Sequence, residues 1–266
     1  STFFYCTLVV IIYLCLILER KFMLSKAKIK LINQLAQKKY RNQTGLFIVE
    51  GHKTVGDMME YFTPEYLYYT SDYSGKKSAT ESCEVTYDEL KKISRLETPQ
   101  NVLAVFKMPE YNNVAINPDE LTLALDGIQD AGNMGTIIRI ADWFGIKNIF
   151  ASKNTVDVYN PKVVQATMGA LARVCVHYVD LVEELSKLDA PIYVTALDGD
   201  DINSAELSKN GVIVMGNEGN GVSSEVMAVA NKKLLISSYP ADVPTSESLN
   251  VSVATAIVVY KFRSLL

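Results

Sequence analysis

The chain has 266 residues, 48% of them hydrophobic and 21% charged, with a formal net charge of −4. That length suits one large domain or two smaller ones, and the apolar fraction is ample for a packed core. The acidic balance excludes a protein that coats nucleic acid by overall charge, since such chains are basic. Four cysteines (Cys6, Cys15, Cys83, Cys175) share no CxxC spacing, and His52 and His177 are the only histidines. The pattern argues against a zinc site, so no metal is expected, and it fits reduced thiols in a cytoplasmic protein. The charge is uneven: residues 23–115 hold 13 Lys/Arg against 11 Asp/Glu, and residues 116–266 hold 11 against 18. The front half is therefore the better candidate for phosphate contact, through Lys26, Lys28, Lys30, Lys38, Lys39 and Arg41. A solvated helix face accounts for the same run equally well.

From Phe3 to Leu18 only Thr7 is polar, and Glu19-Arg20-Lys21 follow. The run falls short of the ~20 apolar residues that cross a bilayer, and no basic residue precedes it as in a secretory signal. Residues 1–22 are expected to be an upstream extension or start-site artefact ahead of Met23, with a membrane anchor as the alternative. From Leu24 to Lys39, Ile29, Ile32, Leu35 and Ala36 alternate with basic residues, which predicts an amphipathic basic helix. Phe47-Ile48-Val49 predicts a strand, and a helix opens after Glu50-Gly51 and runs to about Tyr61. Further strands are predicted at Tyr66–Thr70 and Asn101–Met108, a polar turn region over Ser71–Ser82, and a short helix over Tyr87–Ile93. This alternation describes a small α/β domain over residues 23–108. Residues 109–118, with two prolines and three asparagines, read as a linker.

The remainder, residues 119–266, alternates strands and helices in the manner of a parallel sheet covered on both faces. Leu121–Leu125 reads as a strand, Asp126–Asn133 as a loop and about Gly135–Phe144 as a helix, with Asn133 at its entrance and Arg139 about two turns inside. Val156–Tyr159 leads to Asn160-Pro161, a suitable cap and first-turn pair for a helix through about Leu171. Val174–Tyr178 and Pro191–Leu197 are predicted strands, and Asp198–Asp201 an acidic turn. Val212–Met215 runs straight into a turn containing Gly216, Gly219 and Gly221, where missing Cβ atoms let backbone N–H groups approach a ligand. A helix over about Ser223–Ala230, a short strand at Leu234–Ile236, a polar loop and a last helix from about Leu249 to Phe262 complete the chain. The polar loop ends in Ser246-Glu247-Ser248-Leu249-Asn250, at a helix mouth where unpaired N–H groups gather. Two polar loops at the ends of neighbouring strands describe a ligand crevice.

Three blocks carry a resemblance: Asn133-x-Gly135-x-x-x-Arg139-x-Ala141, Gly216-Asn217-Glu218-Gly219-x-Gly221, and Ser248-Leu249-Asn250-Val251-Ser252-Val253-Ala254. In this order and at these separations they resemble the signature motifs of the SpoU (TrmH-like) RNA ribose 2′-O-methyltransferases of the SPOUT class. Leu46–Gly51 is similar to the opening of their N-terminal substrate-binding domain, which resembles ribosomal protein L30e. The resemblance implies a C-terminal SPOUT α/β knot, a parallel sheet with a deep trefoil knot, and a smaller L30e-like α/β domain ahead of it. It also implies a homodimer that uses S-adenosylmethionine to methylate ribose in structured RNA. Ribosomal RNA, of the 23S type, is favoured over transfer RNA because of the extra domain. A non-catalytic RNA-binding or assembly factor on the same fold is the second reading. A nucleotide-dependent oxidoreductase is the third, against which Gly216-x-x-Gly219-x-Gly221 is not the dinucleotide fingerprint.

Carried over by position, Gly216, Asn217, Gly221, Ile236 and Leu249 would hold the cofactor, largely through main-chain groups. Arg139, Asn133, Glu218, Ser248 and Asn250 would form the catalytic set. Family mechanisms place the arginine at the 2′-hydroxyl, sometimes as a base. A guanidinium with a pKa above ~12 fits better as a clamp on RNA phosphate and a stabiliser of the developing alkoxide. Asn133 caps its helix, binds RNA, or does both. Glu218 pairs with Arg139 or satisfies nearby N–H groups. Ser248 and Asn250 hold the ribose or the arginine, or cap the last helix. Ser237 stands where family members usually have proline, so the loop before Ser246 is expected to differ in shape.

Overall fold

The computed structural model describes residues 24–111, 114–240, 243, 246 and 248–265. The apolar segment 1–22, Asn112-Asn113 of the linker and Glu247 of the polar loop lie outside the described residues. The chain divides into two compact units between Met108 and Pro109.

In the first unit, α1 (Lys26–Gln34) and α2 (Lys38–Thr44) precede β1 (Leu46–Glu50), α3 (His52–Met59), β2 (Tyr66–Tyr69), β3 (Glu81–Glu84), α4 (Tyr87–Ile93) and β4 (Val102–Lys107). The sheet has the order β1-β4-β2-β3, with β4 antiparallel to both neighbours and β3 parallel to β2. Ile32, Leu35, Ile48, Leu90 and Ile93 close a core under its helices. The ends of α4 were readable in advance. Thr86 accepts from the Glu89 N–H while the Glu89 carboxylate accepts from the Thr86 N–H, a reciprocal capping box. β3 overlaps the end of the region predicted as a turn and runs past it, because its Glu-Ser-Cys-Glu sequence has no apolar alternation to announce an edge strand.

The predicted single helix from Leu24 to Lys39 is two helices. Leu35 is fully buried at the end of α1, and the chain turns there before α2 begins. Arg41 explains the turn. Its Nη1 donates to the carbonyl oxygens of Leu35 and Ala36, at 2.8 and 2.9 Å, supplying donors that the end of a helix lacks. The residue is 2% exposed. Arg41 is thus a buried structural cation, and its proposed place on an RNA-facing surface is corrected. Lys28 is half-buried and partly committed, with Nζ 2.9 Å from Glu81 Oε2 and 3.3 Å from the Tyr66 ring centroid. Lys26, Lys30, Lys38 and Lys39 are exposed.

The second unit is built on a six-stranded, wholly parallel sheet of order β10-β8-β9-β5-β6-β7. Its elements are β5 (Leu121–Asp126), α5 (Ala131–Trp143), β6 (Asn148–Ser152), α6 (Pro161–Ala166), β7 (Cys175–Val179) and α7 (Leu181–Ser186). They continue with β8 (Ile192–Asp201), β9 (Gly211–Gly216), α8 (Ser224–Val229), β10 (Lys232–Leu235) and α9 (Val251–Arg263). Every residue of β5 and β9 is buried, as expected for central parallel strands with helices on both faces. The predicted acidic turn at Asp198–Asp201 is instead the end of β8. Pairing with β10 shifts register between Lys233 and Leu234, so Leu234 and Leu235 meet Asp200 and Asp201. Lys233 Nζ, 2.6 Å from Asp198 Oδ2, ties the two strands at the irregularity and neutralises part of the acidic run.

Chain order places the functional crevice. From β5 the sheet grows outward through β6 to β7, whereas β8, β9 and β10 lie on the other side of β5. The loops leaving the C-terminal ends of β5 and β9 therefore stand side by side at the point where the direction of winding reverses. Asp126 and Gly216 are register partners, so both loops start from the same level.

Replacing Arg41 with Met should lower the stability of the protein by about 2–3 kcal/mol, because two helix-end carbonyls lose charged donors in a buried place. Urea unfolding followed by circular dichroism measures this, and an unchanged midpoint would show that the guanidinium is dispensable.

Candidate active site

The loop after β9 is built around Asn217. Its backbone exchanges N–H···O=C bonds with Gly221 in both directions, each 2.9 Å. Its Oδ1 accepts from Gly219 N and Asn220 N at 3.0 and 3.1 Å, and its Nδ2 donates to Gly127 O at 2.7 Å in the loop after β5. A Cβ on Gly216 would overlap the backbone of Gly221 and Val222, so the strand end admits only glycine. A Cβ on Gly221, by contrast, would meet nothing within 4 Å, so that side of the turn is open.

Glu218 joins this loop to the start of α5. Its carboxylate accepts from Gln129 N at 3.2 Å, Asp130 N at 3.1 Å and Asn133 Nδ2 at 3.1 Å. Burial alone would raise its pKa. The hydrogen bonds from the Asn133 side chain and from backbone N–H groups outweigh it and hold the carboxyl below the ordinary 4.5. The third block joins through Asn250, whose Nδ2 donates to Asn133 Oδ1 at 2.9 Å. Asn250 Oδ1 meanwhile accepts from Ser252 N and Val253 N, at 3.0 and 3.3 Å, and so caps α9. A relay Asn250→Asn133→Glu218 thus ties the three blocks into one polar cluster at the C-terminal edge of the sheet.

The comparisons with known proteins follow this geometry. The sequence profile of the SpoU rRNA Methylase family matches residues 120–260, and that of the MRM3-like substrate binding domain matches residues 26–104. The chain belongs to the SpoU rRNA methylase family. It is 30% identical to the Bacillus subtilis 23S rRNA (guanosine(2553)-2′-O)-methyltransferase RlmP, over 89% of this chain and 96% of that protein. Among solved structures it is similar to an RNA methyltransferase of the TrmH family from Porphyromonas gingivalis, described as putative, with 39% identity and a TM-score of 0.82 over 92% of this chain and all of that one. It is also similar to an AdoMet-bound rRNA methyltransferase from Sinorhizobium meliloti, with 27% identity and a TM-score of 0.79, covering 92% and 97% of the two chains.

Several expectations about individual residues change. Asn133 does not cap α5; Asp130 does, its Oδ1 accepting from Asn133 N at 2.8 Å, which leaves the Asn133 side chain for the relay. Glu218 does not pair with Arg139. It satisfies N–H groups, which was the other reading. Arg139 lies exposed on α5, its side chain making no hydrogen bond or ion pair among the described residues. Ser248 is exposed and is not the cap of α9. Ile236 is half-buried just beyond β10, and Leu249 is 48% exposed immediately before Asn250.

Sequence reasoning missed two aspartates. Asp130 stands directly before the helix, the position where an acidic or amide side chain is the ordinary start signal, and that rule would have found it. Asp126 is buried, and its Oδ2 accepts from Ser223 N at 2.8 Å, holding the entrance of α8 against the end of β5. A terminal strand residue with no motif around it gives no such signal.

The depressed Glu218 pKa fixes a sign. A carboxyl held below its unfolded value adds stability at neutral pH that disappears as pH falls through the folded value. Glu218→Gln should therefore cost about 1 kcal/mol at pH 7, a modest figure because the group is exposed. The gap should close progressively below pH 4.5, the ordinary value. Thermal unfolding of both proteins from pH 3 to 7 tests this (about 0.5-unit steps suffice), and a gap that widens on acidification would refute it.

Proposed function

We propose that this protein is an S-adenosylmethionine-dependent RNA 2′-O-methyltransferase acting on a ribose of large-subunit, 23S-type ribosomal RNA. The observation that carries the reading is the relay through Asn133, Glu218 and Asn250, which gathers the three signature blocks at one crevice. The residues present suit the cofactor. The open side of the glycine turn offers main-chain groups, and the uncovered Leu249 and half-buried Ile236 offer apolar surface for an adenine. Gly221 acts by leaving that approach clear, and Gly216 by letting the strand end pack against the backbone of Gly221 and Val222. Asn217 acts indirectly, by shaping the turn with its own amide. The deep trefoil knot implied by the family resemblance is part of this proposal.

S-adenosylmethionine supplies an activated methyl group, so the chain must align the ribose oxygen and manage its charge. Glu218 is occupied by N–H donors and holds the α5 entrance in place. Arg139, exposed and unengaged among the described residues, is the group placed to grip an RNA phosphate and stabilise the developing alkoxide. Asn133 and Asn250 fix the loop edges on either side. Ser248, exposed beside them, is assigned to contact with the RNA. The first unit supplies RNA contact through Lys26, Lys38 and Lys39, with Lys28 contributing less because it lies half-buried against Tyr66. Residence in the cytoplasm, suggested by cysteines without disulfide-like spacing, is part of the proposal.

Arg139→Ala should reduce methyl transfer to ribosomal RNA by at least about 10²-fold, the scale of losing a preorganised charge partner. S-adenosylmethionine affinity, read by isothermal titration, should stay within about two-fold of the parent. Loss of cofactor binding, or stabilisation of the parent by NAD and not by S-adenosylmethionine, would defeat the assignment.

A second copy of the chain completes the proposal. On α9, Val253, Ile257 and Tyr260 recur on one helical face and are exposed, with Trp143 at the end of α5 (85% exposed) nearby, since Phe144 and Tyr260 rings meet at 6.4 Å. Such an uncovered apolar stripe is the usual mark of an association surface. Ile257→Lys should convert a dimer to a monomer in analytical ultracentrifugation, whereas a parent that sediments as a monomer at micromolar concentration would end this part of the reading.

A further inference from the structure

Three strand ends, not two, border the crevice. β6 runs parallel to β5 with Ala151 opposite Leu125, so Ser152 leaves the sheet at the level of Asp126 and Gly216. A tight turn follows, Ser152-Lys153-Asn154-Thr155, closed by Thr155 N donating to Ser152 O at 2.9 Å. It is fastened to the loop after β5 on both sides of Lys153. Ser152 Oγ accepts from Gly127 N at 2.8 Å, and Asn154 O accepts from Gln129 Nε2 at 2.6 Å. Thr155 is buried, its Oγ1 donating to Leu125 O at 3.2 Å, and Val156 N donates to Ile128 O at 2.8 Å. Gly127 and Gln129 are also the residues that Asn217 and Glu218 bind from the loop after β9. A Cβ on Gly127 would lie 3.3 Å from Asn154 Nδ2 and 3.7 Å from Asn217 Cβ, so the three loops meet at that glycine.

Within this anchored turn the Lys153 side chain is left out. It is exposed, and its ammonium makes no hydrogen bond or ion pair among the described residues. Elsewhere in the unit carboxylates take up cations: Arg173 pairs with Asp142, Lys187 with Glu183, Lys232 with Glu206 and Lys233 with Asp198. Residues 116–266 hold 18 Asp/Glu against 11 Lys/Arg, so an unpaired cation beside the crevice is available to an anion from outside. The Glu218 carboxylate does not compete for it, being turned onto N–H donors. A fixed turn under a flexible ammonium arm sets where the charge stands and leaves its tip free to meet a phosphate oxygen as a point charge.

We infer that Lys153 is a phosphate-contact residue: its ammonium binds a backbone phosphate of the RNA strand lying across the crevice and so sets the register of the target ribose. Phosphate contacts position a nucleic acid without reading its bases, which is the service a ribose-directed reaction requires. The inference rests on the methyltransferase reading above. It adds to that site an edge, the loop after β6, that lies outside all three signature blocks.

Lys147 supplies the control. It stands just before β6, exposed and likewise without a side-chain partner among the described residues, roughly 20 Å from Lys153 along the strand and at the opposite edge of the sheet. The test uses the full chain, ribosomal RNA from cells lacking the gene, and labelled S-adenosylmethionine. In fluorescence anisotropy without cofactor, Lys153→Ala should weaken RNA binding about ten-fold at low salt, and the slope of log affinity against log salt should fall by about one. Methyl transfer should drop in proportion in kcat/KM for RNA, mainly through KM, with cofactor affinity within about two-fold of the parent. Lys153→Arg, which keeps the charge, should return binding to within about three-fold. Lys147→Ala removes the same charge and should leave affinity, slope and transfer unchanged. An unaltered salt slope in Lys153→Ala overturns the inference, as does an equal loss in Lys147→Ala, which would assign the effect to overall charge. RNA affinity that depends on Lys153 in a parent that transfers no methyl group would leave the contact standing and refute the methyltransferase reading instead.

Discussion

The carboxylate of Glu218 is the constraint on which the rest of the site depends. It belongs to the loop after β9, yet its hydrogen bonds go to the loop after β5 and to the first turn of α5. Two neighbouring parallel strands fix where their loops start but not how the loops lie. A charged acceptor shared between them removes that freedom, since three donors from the other loop and α5 converge on one ionised group. The placement also suits the field of α5, whose N-terminus favours negative charge. Asn133 then carries the constraint onward to Asn250 and hence to the start of α9. One carboxylate and two amides therefore hold three segments that are far apart in sequence. All three are engaged in holding the loops, which supports the proposed role of the exposed Arg139.

The first unit shows why counting cations misleads. A run of basic residues on an apparent amphipathic helix suggested one RNA-facing surface, but the chain turns at Leu35 and takes Arg41 inward. A guanidinium has enough donors to close a helix end and enough hydrocarbon to accept burial. Lysine serves that purpose poorly, and Lys28 illustrates the difference by staying half-buried against Tyr66 and Glu81. The protein can thus bind RNA while carrying a net charge of −4, because few cations need to face the phosphates if the shape of the crevice does the selecting.

What was legible in the sequence and what was not divide along physical lines. The strand running into Gly216 and the helix over Tyr87–Ile93 were readable because both are local: a glycine-rich turn after an apolar run, and a short helical pattern. The motifs of the second unit were readable because their spacing is a matter of sequence. The edge strand β3, the continuation of β8 through Asp201 and the burial of Arg41 were not. Each is decided by a partner distant in sequence: β2 for the first, β10 and Lys233 for the second, the carbonyls of α1 for the third. Asn133 lies between these cases. Its neighbourhood of a helix start was evident, but Asp130 had the better position for capping. Only the relief of that duty let the Asn133 amide reach across to Glu218.

The proposed reading of the cofactor through main chain has a consequence for specificity. Backbone N–H and C=O groups present one fixed pattern, and Gly216 at the strand end tolerates no side chain, so that half of the crevice is difficult to retune by substitution. Selectivity for one nucleotide must then come from side chains outside that framework, and the charge proposed for Arg139 does not by itself distinguish one base from another. A rigid backbone floor beneath a few adaptable side chains is a division that lets one fold serve different RNA targets.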